Sequence, residues 1–192
     1  MAILILGLVL FLGVHSVRIV ADGWRSATIA RIGEKPWKGL YALVAIAGFA
    51  LIVWGYSLAR QQPVMLWESP RAMRHVAALL MLLAFILLVA TYVPRNSIRA
   101  KLHHPMVLSV KVWALAHLLA NGNLADAVLF GAFLVWAVFN FRSARQRDRQ
   151  LATVYPAGTA IGTAITVLVG IAVWAGFAFW AHGWLFGVRP FG

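Results

Sequence analysis

The stretch Lys111-Val-Trp-Ala-Leu-Ala-His117 places a lysine and a histidine inside one apolar segment, and a second histidine, His15, lies inside another. An ionisable side chain in hydrocarbon is costly, roughly 2.5–3.5 kcal/mol for a lysine at mid-bilayer on insertion scales, so such residues mark working sites by default. Imidazole ligates iron, copper and zinc, and the chain contains no cysteine. Two membrane-embedded imidazoles therefore direct attention to a metal or a haem. The lack of cysteine excludes disulfides, thiolate-bound zinc and thiolate-bound haem alike. The only acidic residues are Asp22, Glu34, Glu68, Asp126 and Asp148, too few for paired-carboxylate hydrolysis, and a serine triad has no support either.

The elements that must position these residues are membrane spans. Of 192 residues, 62% are hydrophobic and 11% charged, and the mean hydropathy is +0.84, a composition for a polytopic membrane protein. Six apolar segments are expected to span: 2–20, 40–59, 76–93, 105–120, 124–141 and 160–186. Most approach the ~20 residues that cross the hydrocarbon as a helix. The fourth is the shortest, but Pro105 at its first position and Asn121-Gly122-Asn123 at its end punctuate it as a helix. The first lacks a preceding basic region and holds His15 and Arg18, so it reads as a retained span and not a leader. No connecting segment is long enough for a second domain, and lipid-exposed strands would leave their edges unsatisfied. The expected fold is all-α, a single six-helix transmembrane bundle over residues 1–192. Gly158-x-x-x-Gly162 would permit close helix approach.

A net charge of +12 would suggest nucleic acid in a soluble protein, but here the basic residues lie in short loops and read as a topology signal, not as a nucleic-acid surface. Twelve of them follow spans one, three and five: Arg18, Arg25, Arg31, Lys35 and Lys38, then Arg95, Arg99 and Lys101, then Arg142, Arg145, Arg147 and Arg149. Arg60, Arg71, Arg74 and Arg189 lie on the other side. The bias predicts a protein of the inner membrane with both termini outside the cytoplasm. The run from Phe141 to Arg149 reads as a clamp on anionic membrane lipid.

Depth can be compared next. His117 lies twelve residues past Pro105, about 18 Å in at 1.5 Å per residue, and His15 seven residues before Asp22, about 10 Å in from the same side. Both imidazoles can then bind one haem iron from opposite faces, provided that helices one and four are neighbours, which the pattern does not dictate. Arg18, three residues after His15, is placed to pair with a haem propionate. Trp113, four residues before His117, shares its face and can pack on a porphyrin edge. Lys111 lies about 120° off that face and reads as snorkelling to headgroups. A single intramembrane histidine can equally serve as a hydrogen-bond partner for a neighbouring helix. His75, beside Arg74, reads as interfacial, and Trp24, Trp37, Trp67 and Trp184 as belt residues.

The segments Leu10 to Ser16, Gly33 to Tyr41, His103 to Val107, Trp113 to Gly122 and Arg147 to Leu151 resemble the NnrU family of bacterial membrane proteins. The resemblance implies a link to denitrification and nitric oxide metabolism. It extends to 15-cis-zeta-carotene isomerase, an integral membrane enzyme that uses haem b. The resemblance maps that enzyme's haem-ligating histidines onto His15 and His117, and so implies haem b here. It also implies a redox-gated isomerase-like or electron-transfer role. The isomerase has a cysteine three residues before the second histidine, where this chain has Ala114, so exchange to a thiolate ligand is not available. His103-His-Pro-Met is similar to the Arg-His-Pro element of isoprenylcysteine carboxyl and phospholipid methyltransferases, which bind S-adenosylmethionine. Their paired glutamates are replaced by Arg147-Asp148-Arg149, which weakens methyl transfer as a reading. The remaining alternative is a non-enzymatic membrane factor for maturation of nitric oxide reductase.

Overall fold

A computed structural model describes residues 1–191, and within them every extended element is helical. In chain order these are α1 (Ala2–Val20), α2 (Asp22–Ile32), α3 (Glu34–Gln61), α4 (Ala72–Tyr92), α5 (Ser97–Leu102), α6 (Pro105–Ala120), α7 (Leu124–Gln150) and α8 (Ala160–Gly176). A π-helical turn, Phe177–Ala181, then leads into α9 (His182–Phe186).

Five stretches are long and apolar enough to cross a membrane: α1, α3, α4, α7 and the α8 to α9 run. The expected fourth span, α6, has 16 residues, about 24 Å of helix, against a hydrocarbon core of about 30 Å. Six bundle helices are present, but only five meet the length of a span. Helices α3 and α7 both run beyond the segments expected from hydropathy, because Glu34 to Gly39 and Arg142 to Gln150 stay helical after the apolar run stops. Hydropathy detects hydrocarbon and not helix. The short helices α2 and α5 lie in stretches read from sequence as loops.

The bundle helices neighbour one another in the order α3, α1, α7, α6, α4, α8. Helix α7 therefore packs between α1 and α6, the two helices that carry His15 and His117. Leu4 and Leu8 of α1, Ile52 of α3, Ala114 of α6, and Ala125, Leu129 and Phe130 of α7 form the shared core. Between lipid-facing helices there is no hydrophobic drive to associate, so close packing must hold them together. The α1 and α3 backbones meet through small residues: a Cβ on Gly48 would come within 2.7 Å of the Phe11 nitrogen, and one on Gly7 within 2.6 Å of the Ile52 nitrogen. Large apolar side chains face outward instead, among them Val9, Leu43, Leu79 and Ile161, as lipid contact requires. Gly158 and Gly162, expected to bring two spans together, pack against the Arg95 to Ser97 turn.

The loops are tied in pairs at each end. Opposite the basic end, Leu124 N donates to Val64 O at 2.8 Å and Leu66 N to Gly122 O at 2.8 Å. At the basic end, Thr159 N donates to Arg95 O at 2.7 Å. There the buried Asn96 caps α5 by accepting from Arg99 N at 2.7 Å, and its amide donates to Ala90 O and Val93 O.

Candidate functional site

Helix α6 presents His117 three residues from its C-terminal end, on the stretch that packs between α4 and α7. Its Nδ1 lies 2.9 Å from the Trp113 carbonyl. A carbonyl only accepts, so Nδ1 carries the proton and Nε2 keeps the lone pair. The ring is clamped by stacking on Phe130 of α7, with centroids 4.5 Å apart, and by Trp113 at 5.4 Å. Nδ1 tied to a backbone oxygen, with Nε2 left basic, is the arrangement found behind metal-ligating histidines.

His117 lines a cavity of about 500 Å³ enclosed by α4, α6, the end of α8 and the chain from Gly187 to Phe191. Met81, Phe85, Trp174 and Phe177 give it apolar walls, while Arg74, Asn121, His182 and Arg189 supply its polar groups. No acidic side chain lines it, and neither arginine pairs with a carboxylate among the described residues. Among the described residues two buried indole N–H groups meet no acceptor, Trp174 at this cavity and Trp136 beside His15, a cost that in native proteins calls for a missing partner. The cavity thus offers several donors and few acceptors.

His15 is placed elsewhere. Its Nδ1 donates to the Phe11 carbonyl at 2.6 Å, and its ring packs near Tyr41 of α3 and Trp136 of α7. It does not line the His117 cavity. On α7, the residues touching the two imidazoles, Trp136 and Phe130, are six apart, which is about 9 Å along the axis and about 120° around it. Phe11, Phe133 and Trp113 form a continuous run of rings from one histidine to the other, at centroid spacings of 4.3, 5.8, 5.3 and 5.4 Å. Trp113 shares the face of His117 but is wedged into α7 between Phe130 and Phe133. Arg18 is exposed beyond His15, and His75 is exposed at the start of α4. The Lys111 ammonium lies 5.0 Å above the Phe141 ring, a cation–π contact.

A family model described as NnrU protein matches residues 3–190. The chain belongs to the NnrU family. No curated protein and no solved structure matches it. NnrU membership, with five apolar helices long enough to cross a bilayer, points to a denitrification-related, multi-pass membrane protein in contact with lipid.

This NnrU chain has a second polar cluster, at its basic end. His104 Nε2 donates to Asp148 Oδ2 at 2.8 Å, and Tyr155 donates to the same carboxylate at 3.2 Å. Arg145 donates to His103 Nδ1, and His103 stacks on Tyr155 at 4.2 Å. Those contacts hold His103 at φ 70°, a left-handed value uncommon for a bulky residue, where the chain turns from α5 into α6. Burial and the adjacent Asp148 carboxylate both disfavour the phenolate and push Tyr155 above the usual phenol range. Asp148 is thereby committed to histidine and tyrosine.

Of the residues at the cavity, His182 and Trp174 were not singled out by sequence, Asn121 was read only as a helix end, and Arg74 and Arg189 served only as topology counts. His182 did carry a signal: it is an ionisable group within the last apolar segment, as His117 is within the fourth.

Proposed function

We propose that this NnrU protein binds haem b and acts in nitric oxide metabolism, with His117 as an iron ligand. The observation that carries this reading is His117, its tautomer set by Trp113, lining a cavity of about 500 Å³, a size that suits a cofactor. The donor set fits a flat apolar ring system that ends in carboxylates: imidazole for the metal, guanidinium groups and an unpaired indole N–H for anionic oxygens, aromatic walls for the ring. Haem bound there would supply one-electron transfer and an iron to which nitric oxide binds. His117 would hold the metal, Phe130 and Trp113 would fix its ring plane, and Phe85, Trp174 and Phe177 would exclude water. The family resemblance implies His15 as the other ligand and Arg18 as a propionate partner. As packed, a run of rings, Phe11, Phe133 and Trp113, lies between His15 and His117.

The charge bias supports an inner-membrane orientation with the basic end in the cytoplasm, which sets the cavity towards the outer face. A redox partner or nitric oxide reductase would then be met from that side.

The test is the haem content and spectrum of the detergent-purified full chain. One haem b per chain in the wild type, lost in His117→Ala, with a Soret shift on adding nitric oxide, is the expected result. Folded wild-type protein without haem would sink this reading. A maturation factor for nitric oxide reductase would then come forward, or methyl transfer if S-adenosylmethionine bound instead.

A further inference from the structure

We propose that His182 is the second iron ligand of the His117 cavity, and that Arg74 and Arg189 hold the carboxylates of the bound group. This rests on the haem reading above and replaces His15 as the partner of His117.

Three independent observations carry it. First, His182 and His117 line the same cavity, and His15 does not. Second, the two rings are prepared in the same way. His182 donates from Nδ1 to the Val188 carbonyl at 2.7 Å, as His117 donates to Trp113 and His15 to Phe11, so each keeps a basic Nε2, and of these three only His117 and His182 line the cavity. Phe177, edge-on at 5.8 Å, and Phe186, at 5.0 Å, fix the His182 ring. A second-shell carbonyl of this kind orients a ligating imidazole and raises its basicity.

Third, the backbone departs from α-helix immediately before His182. In a regular helix His182 would sit about 80° around the axis from Trp174, eight residues earlier. The π-helical turn at Phe177–Ala181 accommodates one extra residue, which brings His182 to within about 20° of Trp174, a cavity wall. Such turns forfeit good hydrogen-bond geometry and concentrate at functional sites. Here the turn sets a titratable ligand onto the face that would otherwise carry Ala181.

The anion side is argued by elimination of internal partners. The buried acid Asp126 is committed to Tyr56 and Asn123. No carboxylate among the described residues pairs with Arg74 or Arg189, and the Trp174 N–H has no acceptor. A ligand that brings its own carboxylates would answer all three.

The experiment uses full-length protein carrying haem, with absorption and electron paramagnetic resonance spectra of the wild type and of His15→Ala, His117→Ala and His182→Ala. The expected result is a low-spin, six-coordinate wild type that becomes high-spin in His182→Ala, returns to low-spin when imidazole is added, and stays low-spin in His15→Ala. His182→Met, which retains a ligand and the bulk of the side chain, is expected to raise the reduction potential. A high-spin His15→Ala beside an unchanged His182→Ala would overturn the assignment while leaving the haem reading intact, as would an unchanged potential in His182→Met. Folded wild type without haem would overturn both.

Discussion

The two ends of the bundle hold nearly the same side chains to different effect. At the basic end, His103, His104 and Tyr155 gather on Asp148, and Arg145 donates to His103. At the other end, His117, His182, Arg74, Arg189 and Trp174 gather on a cavity that contains no acid. One carboxylate makes the difference. With it, the donors find acceptors within the chain and lock a helix junction; without it, imidazoles and guanidinium groups are left for something the chain does not contain. A cluster of polar residues in a membrane protein is therefore read by its donor and acceptor balance more than by its residue types.

The contrast can be broken most severely by giving the cavity the acid it lacks. Met81→Glu introduces a carboxylate into the cavity that the arginines line, and haem retention should be lost in purified protein that remains folded by circular dichroism. Removing the acid from the other end is the converse. Asp148→Asn leaves His104 and Tyr155 without their charged acceptor and should lower stability by about 1–3 kcal/mol, read as earlier thermal unfolding in detergent, with haem content unchanged. Tyr155→Phe removes one bond from the same cluster and should cost about 0.5–1.5 kcal/mol by the same measurement. Smallest are the rim arginines: both are exposed, so Arg74→Gln or Arg189→Gln should weaken haem affinity by only a few-fold, about 0.2–1 kcal/mol, measured by transfer of haem to apomyoglobin. Salt should erase that last difference first.

Much of the frame was legible because hydrocarbon imposes simple rules. Runs of apolar residues marked the bundle helices, and the burial cost of an ionic group led directly to His117, which does line the cavity. The pairing of His15 with His117 depended on helix adjacency, which hydropathy does not encode; α7 stands between them through packing of Phe130 and Leu129 into a shared core. His182 escaped notice because its facing depends on a π-helical turn, and no residue type in Phe177-Ala-Phe-Trp-Ala181 announces one. Gly158 and Gly162 matched a helix-pairing pattern, yet the surface they meet is a turn between α4 and α5, which a motif of two residues cannot distinguish. The basic-end cluster was visible as His103-His104 and as Arg147-Asp148-Arg149 separately, and only the fold of α6 against α7 joined them.

The π-helical turn also has a genetic consequence. Because it holds one residue more than the helix around it requires, deleting a single codon between Phe177 and Ala181 would let the helix rewind regularly while His182 stays within about 20° of Trp174, so the turn can be lost from the gene without moving the imidazole. Insertion of one codon is the reverse step: absorbed as a π-helical turn it leaves every later residue facing as before, whereas the same insertion into regular helix would turn them all by about 100°.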